Sequence, residues 1–315
     1  MPVAGRLKGF PGQPEHVLDE AAHLWKGDMI VVYTSDLHGN KELYSELFEL
    51  AEKKRAQAVI IGGDMLPIGR SFQYSILEQK NFIFSYLESK LRSFLSKVPE
   101  ATIYAMLGND DWGASNTYLK NLEEQGILRL LHGRRHVLGH RYELIGYAHV
   151  PPTPFIIKDG ERRDLQTDFT GQQRCTACCS LGEKIIVVDP RQHFARMKSI
   201  EEELEELPRA RESRTAVYVM HSPPFRTNLD RLFDGRWIGS RAIRAFIEKH
   251  QPYLTLHGHI HESSEISGHY WHRLGKTISV NPGQSTEELY AVVFELEDIS
   301  TTMEHTVFGR MADSA

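Results

Sequence analysis

Thiols are scarce in this chain: three cysteines in 315 residues, all inside Cys175-Thr176-Ala177-Cys178-Cys179. One such cluster gives no disulfide framework, which argues against a small secreted scaffold and leaves the cytoplasm as the expected compartment. Long apolar runs are missing as well. Nothing approaches the roughly 20 residues that span a bilayer, and the opening MPVAGRLKGFPGQPEHVLDE has no signal-peptide apolar core. No membrane association is expected. There is no basic surplus either: 37 Lys and Arg against 42 Asp and Glu leave a formal net charge of −5, so no broad positive field would hold nucleic acid, and none is expected as a partner. Internal repeats and low-complexity tracts are absent.

Histidine, by contrast, is abundant, with sixteen residues, and neutral imidazole is the commonest metal ligand among side chains. Apolar content of 41% and charged content of 25% suit a globular chain with a large buried core. The stretch MIVVYTSDLHGN, residues 29–40, organises the rest. A run of β-formers leads into Ser35-Asp36-Leu37-His38-Gly39-Asn40, a polar tip of the kind that carries sites at the C-terminal edge of α/β sheets. Were the tip extended, Asp36 and His38 would point to one side.

The pattern then recurs. Lys41–Arg55 reads as a helix with Leu43, Leu47 and Leu50 in one stripe. The β-run 58–61 stops at Gly62-Gly63-Asp64, completing a βαβ unit. A long amphipathic helix is expected over 71–97, and the strand 102–107 ends at Gly108-Asn109-Asp110-Asp111. From 127 a meander (127–131, 136–138, 141–147) is expected to begin a second sheet. Residues 151–213 read as an insertion-like, mostly irregular segment and as the place for substrate specificity, containing a strand at 184–188 and an acidic helix at 199–207. The β-run 215–220 ends in His221-Ser222-Pro223-Pro224, and a helix capped by Ser240 runs to His250. The run 253–256 ends in His257-Gly258-His259-Ile260-His261, and β-runs at 277–280 and 289–296 close the chain. The last of these is a candidate sheet edge for pairing between subunits, although oligomeric state is not fixed by the sequence. Residues 1–27 form a Gly/Pro-punctuated, irregular lead-in to a single domain spanning 1–315.

Five strand ends therefore supply Asp36 and His38, Asp64, Asn109, His221, and the histidines of 257–261, each beside glycine or proline. Carboxylate, imidazole and amide oxygen together suit divalent Mn, Fe or Zn. About seven such groups are too many for one tetrahedral ion and fit two ions sharing a carboxylate, roughly 3.5–4 Å apart. Spacing alone does not choose between His257, His259 and His261, because all three alternate onto one side of an extended segment.

In Asp36-x-His38, Gly63-Asp64, Gly108-Asn109, His221 and Gly258-His259-x-His261, in that order, the chain resembles the calcineurin-like metallophosphoesterase superfamily. The resemblance covers roughly residues 30–262. It implies a four-layer αββα sandwich with two mixed β-sheets face to face and helices outside. It also implies two divalent metal ions: Asp36, His38 and His261 on the first, Asn109, His221 and His259 on the second, and Asp64 bridging. The implied activity is hydrolysis of a small-molecule phosphate ester by a metal-activated water attacking in line, with phosphodiesters preferred. The alternatives are a phosphomonoesterase or pyrophosphatase, or a metal-binding scaffold with weak catalysis. The chain departs from the family at one point. The usual Gly-Asn-His reads Gly108-Asn109-Asp110, and an ordinary carboxyl near pKa 3.9 is a poor proton donor at neutral pH. Asp110 and His257 are thus the expected catalytic residues, and the reaction is expected to depend on a good leaving group, on metal-assisted departure, or on another donor such as His257, which would lie behind the ligands or face the substrate. Among weaker signals, the cysteine cluster with His193 reads as incidental thiols in preference to a zinc site. Arg134, Arg135, Arg241 and Arg244 read as solvated.

Overall fold

The computed structural model describes residues 29–69, 71–168 and 176–311. The expected irregular lead-in at 1–27 and Cys175 lie outside the described residues. Strands β1 (Ile30–Thr34), β2 (Ala58–Ile61) and β3 (Thr102–Ala105) are parallel neighbours, as the βαβ reading requires. Both faces of these strands are buried, and their side chains alternate between two cores. Val32, Val59, Ile61 and Ile103 face helices α1 (Lys41–Lys54), α2 (75–97) and α3 (Asn116–Glu124). Val31, Tyr33, Ala58, Ile60 and Tyr104 face the second sheet.

Seven strands form the first sheet, in the order β15-β14-β13-β1-β2-β3-β4. Here β4 is Arg129–Leu130, β13 Val292–Glu295, β14 Glu304–His305 and β15 Gly309–Arg310. Two expectations are corrected at this point. The meander does not open the second sheet at 127: β4 pairs parallel to β3, because Ile127, Leu128 and Leu130 bury against the helices of the first sheet. The closing run is not an edge, since β13 lies between β1 and β14 with both neighbours antiparallel.

The second sheet has the order β11-β12-β10-β9-β6-β5, comprising β5 (Arg135–Leu138), β6 (Tyr142–Tyr147), β9 (Ala216–Met220), β10 (Leu254–Leu256), β11 (Trp271–Leu274) and β12 (Thr277–Val280). Its inner residues Leu144, Val217, Val219, Leu254 and Leu256 meet the first sheet. Its outer residues Ile145, Tyr147, Tyr218 and Met220 meet the helices 200–206 and 241–250. The layers therefore run helices, sheet, sheet, helices, the expected mixed α/β architecture.

Helix ends follow local chemistry. Asn40 Oδ1 accepts the backbone N–H of Glu42 and Leu43 at the start of α1, and Ser240 Oγ accepts that of Ile243. A 3₁₀ turn at Phe72–Tyr74 leads into α2, which comprises Ser75–Phe82, a π-helical turn Ile83–Leu87 and Glu88–Lys97. Within 151–213 the chain is less irregular than expected. Strands β7 (Ala177–Leu181) and β8 (Lys184–Val188) form a separate hairpin, followed by α4 (Pro190–Ala195) and α5 (Ile200–Glu206). Helix 241–250 is α6. No helix among the described residues is long and apolar enough to cross a membrane.

Candidate metal centre

The parallel strands deliver their tips to one edge, and backbone hydrogen bonds lay those tips side by side. Asp36 N donates to Gly63 O at 3.0 Å and His38 N to Asp64 O at 2.8 Å, so the loops after β1 and β2 run together. Across the sheet interface, His259 N donates to both Asp36 carboxylate oxygens at 3.1 and 2.9 Å; within the second sheet, Gly258 N donates to His221 O at 3.0 Å. Gly258 leaves no room for a side chain: a Cβ there would lie 2.4 Å from Asp36 Oδ2. On the β3 side, Asp110 N donates to Asp64 Oδ1 at 2.8 Å.

Asp111, which the sequence reading did not single out, is the brace beneath this edge. Its buried carboxylate accepts the N–H of Gly108, Met65 and Leu66 at 2.9–3.1 Å, joining the Asn109 loop to the Asp64 loop. A second brace comes from 151–213. Lys158 and Glu161 form a fully buried ion pair at 3.0 Å, and Gly160 between them sits against the Asn109 backbone, where a Cβ would lie 2.9 Å from Asn109 Cα.

Three groups of side chains converge, each with donor atoms within 4.8 Å of one another: Asp36, His38 and His261; Asp64, His221 and His259; and His38, Asp64 and Asp110. His38 Nε2 and His261 Nε2 are 3.3 Å apart, and His221 Nε2 lies 3.2 Å from Asp64 Oδ2 and 3.8 Å from Asp36 Oδ1. Asn109 adjoins them, its Nδ2 donating to Asp110 Oδ1 at 3.1 Å. Its buried Oδ1 has no hydrogen-bond partner, and neither does His38 Nδ1. A buried amide oxygen without a donor is costly in a dry protein, and the two facing imidazole nitrogens can pair only if one ring carries the proton. Bound cations would take up the Asn109 oxygen and the imidazole lone pairs, so the residues fit the implied ions. The arrangement also explains the backbone. Asp36, His38, Asp64 and His259 all have left-handed φ, from 43° to 67°, a strained state for non-glycine residues that tends to cluster at functional sites.

That conformation corrects two expectations. The Asp36 tip is not extended, so its two ligands meet through a tight turn and not by strand alternation. At His259 the left-handed turn likewise breaks the alternation of 257, 259 and 261. His257 is fully buried, with Nδ1 donating to Met220 O and Ser222 O at 2.8 and 2.9 Å and Nε2 2.9 Å from Thr255 Oγ1. Both ring nitrogens are engaged in structural bonds, and the donor role expected of His257 does not fit this placement.

The electrostatics are those of charges packed without water. Burial alone would raise Asp36, but the hydrogen bond from His261 and the nearby imidazoles hold it well below the ordinary carboxylate value. Burial opposes protonation of His221 and His261, yet Asp64 and Asp36 outweigh it and raise them to about 9 and about 8. His259 falls to about 3 through burial and the charge of His221. Asp110 moves the other way: burial first, then the charge of Asp64, raise it to about 7.

The weaker signals resolve simply. Cys178 packs with Ile76, Trp112 and Ile157, and burial, with Asp159 nearby, pushes the Cys179 thiol up to about 12. Neither thiol joins a metal-binding group among the described residues. Arg134 pairs with Glu123, and Arg241 with Asp164 and Asp168.

The family model described as calcineurin-like phosphoesterase matches residues 29–263. No curated protein matches the chain. One solved crystal structure, 18% identical, superposes with a TM-score of 0.54 over 90% of this chain and 100% of its own. That of TT1561 from Thermus thermophilus, 15% identical, gives 0.52 over the same shares. At these identities the likeness is one of fold.

Proposed function

This chain belongs to the calcineurin-like phosphoesterase family and is thereby a metal-dependent phosphoesterase; we propose, beyond this, that it hydrolyses phosphodiesters at a dinuclear centre. In this reading Asp36, His38 and His261 hold one divalent ion, Asn109, His221 and His259 hold the other, and Asp64 is shared. Mn, Fe or Zn suits the donors. When bound, two such ions would supply charge neutralisation for phosphoryl oxygens and lower the pKa of the attacking water. The observation that carries the reading is the convergence of two carboxylates from one sheet with three imidazoles from the other, next to Asn109, whose amide oxygen has no donor.

The chain's own groups set the rest. A bond forms from the water oxygen to phosphorus as the bond from phosphorus to the leaving oxygen breaks, and that oxygen must end with a proton or depart as an anion. Asp110 Oδ1 accepts from Asn109 Nδ2, which leaves Oδ2 as the oxygen available to a substrate. Cations beside it favour the carboxylate, which makes Asp110 a weak donor and leaves good leaving groups favoured. The Asp110 carboxylate, which in this reading holds neither ion, also repels a phosphomonoester dianion more than a diester monoanion. This supports the diester preference.

The test is turnover of bis-p-nitrophenyl phosphate by protein loaded with Mn²⁺, Fe²⁺ or Zn²⁺, compared with p-nitrophenyl phosphate. The diester is expected to be the better substrate, and Asp64→Asn or His221→Ala to lower turnover by about 10²-fold or more, the order expected when several kcal/mol of metal-derived stabilisation are lost. Absence of turnover with every ion would instead favour a metal-bound scaffold, the reading that Asp110 also invites.

A further inference from the structure

Seven non-glycine residues among those described have left-handed backbone. Four are the candidate ligands Asp36, His38, Asp64 and His259. Two, Arg55 and Gln251, end α1 and α6 as C-caps. Arg226 (φ 56°) does neither, and it stands five residues beyond His221, within about 18 Å of extended chain. Its conformation is imposed, not incidental. The fully buried Asp230 accepts the N–H of Arg226, Thr227 and Gly239 at 2.8–3.0 Å, and Arg244 Nη1 donates to the carbonyls of Phe225 and Arg226. The loop is fixed to the metal centre as well: Asn281 Nδ2 donates to Leu229 O, Gly258 O and Ile260 O at 3.0–3.2 Å, joining it to the segment that carries His259 and His261.

This rigid loop presents two cations on one aromatic ring. The guanidinium carbons of Arg226 and Arg231 lie 6.0 and 5.4 Å from the centroid of Trp237, and both arginines are exposed. Neither has a carboxylate within ion-pair distance among the described residues, although the chain is acidic overall. A strained left-handed backbone and a buried carboxylate thus hold an exposed arginine in place, which solubility does not require. Arginine stacked on a ring keeps its planar fork of donors free for phosphate.

We propose that Arg226 and Arg231, seated on Trp237, form a second anion subsite on the loop that follows His221, and that the substrate carries a further phosphoryl group on the part that is not cleaved. The proposal rests on the phosphodiesterase reading for its chemistry and on the loop alone for its binding. Accordingly the test has two arms.

In the first, tripolyphosphate is titrated into metal-free full-length protein while tryptophan fluorescence is followed, with Trp237→Phe identifying the reporting ring. A saturable, salt-sensitive change is expected, weakened at least tenfold in Arg226→Ala/Arg231→Ala. No change, or an equal change in that variant, overturns the subsite. In the second, kcat/KM of the metal-loaded enzyme for dinucleoside tri- and tetraphosphates is divided by that for bis-p-nitrophenyl phosphate. The ratio is expected to fall about tenfold in the double variant, mainly through KM, and an unchanged ratio overturns the proposal. Should the wild-type protein turn over neither substrate, the hydrolase reading fails, and the fluorescence arm still decides the subsite.

Discussion

Burial and the charge of Asp64 push the Asp110 carboxyl up to about 7, while its position among candidate ligands exposes it to cations that pull it back down. A side chain caught between these influences is a poor general acid, and leaving-group chemistry should reveal it. With diesters of graded leaving-group acidity, log kcat/KM of the wild-type protein is expected to fall steeply as the leaving group becomes more basic. Asp110→His should flatten that dependence and raise turnover of the poorest leaving groups by about 10²-fold, the lower range for general acid catalysis. Parallel plots would mean that position 110 handles no proton. The identity of the candidate ligands was legible at this scale, because each polar tip follows a run of β-formers and adjoins glycine or proline. Their backbone was not. The left-handed turns at Asp36, His38, Asp64 and His259 are imposed by bonds between tips far apart in sequence, such as His259 N to Asp36, and no local propensity encodes them. For the same reason His257 looked equivalent to its neighbours until the turn at His259 separated them.

Among elements, long periodic runs were readable and short or tertiary-dependent ones were not. Helix α3 offers only Tyr118, Leu119 and Leu122 to the core, too few for a stripe. Strand β4 is two residues long and owes its sheet to where Leu130 is buried; β14 and β15 are equally brief. The acidic helix α5 was visible, but not its anchoring. Glu203 Oε2 accepts from Tyr147 Oη and His149 Nδ1 at 2.7 Å, and Oε1 from Arg162 Nε at 3.1 Å, tying α5 to the end of β6. Burial would raise the Glu203 carboxyl, but these partners outweigh it and bring it from the ordinary 4.5 to about 2. His149 is itself held below its usual value by burial, so at neutral pH it donates as a neutral ring, and Arg162 is the charged partner. A folded-state value below the unfolded one stabilises fully above pH 4.5 and is lost as pH falls through about 2. In full that lowering converts to about 3.4 kcal/mol; discounted for the solvent screening of a side chain that is not fully buried, Glu203→Gln is expected to cost about 2 kcal/mol at pH 7, with the deficit shrinking towards zero as urea unfolding is followed from pH 5 to pH 2. A deficit that stays constant across that range would mean the carboxylate charge contributes nothing.

At the scale of the whole molecule, the centre lies on the seam between two sheets. Asp36, His38, Asp64 and Asn109 come from tips of the seven-stranded sheet, and His221, His259 and His261 from tips of the six-stranded one. Strand types and the existence of two sheets could be read from the chain. The order within them could not, since the late β13 lies against the first strand across more than 250 residues, a pairing that only the shared inner core fixes. One consequence follows for stability. Ions that bind this seam bind only when both sheets are docked, so metal affinity adds to folding free energy. With free Mn²⁺ or Zn²⁺ at a hundred times its dissociation constant, the gain is about 2.7 kcal/mol, which for a chain of this size raises Tm by roughly 5 °C. Chelation should reverse the rise. Asp64→Asn, which removes the shared carboxylate, should abolish most of the metal-induced rise; its metal-free Tm is expected to be lower than that of the wild type, because the ion pair with protonated His221 is lost as well, so the rise is read within each protein. Calorimetry that found the same Tm with and without every divalent ion would remove the metal from the seam, and with it the reason for these tips to converge.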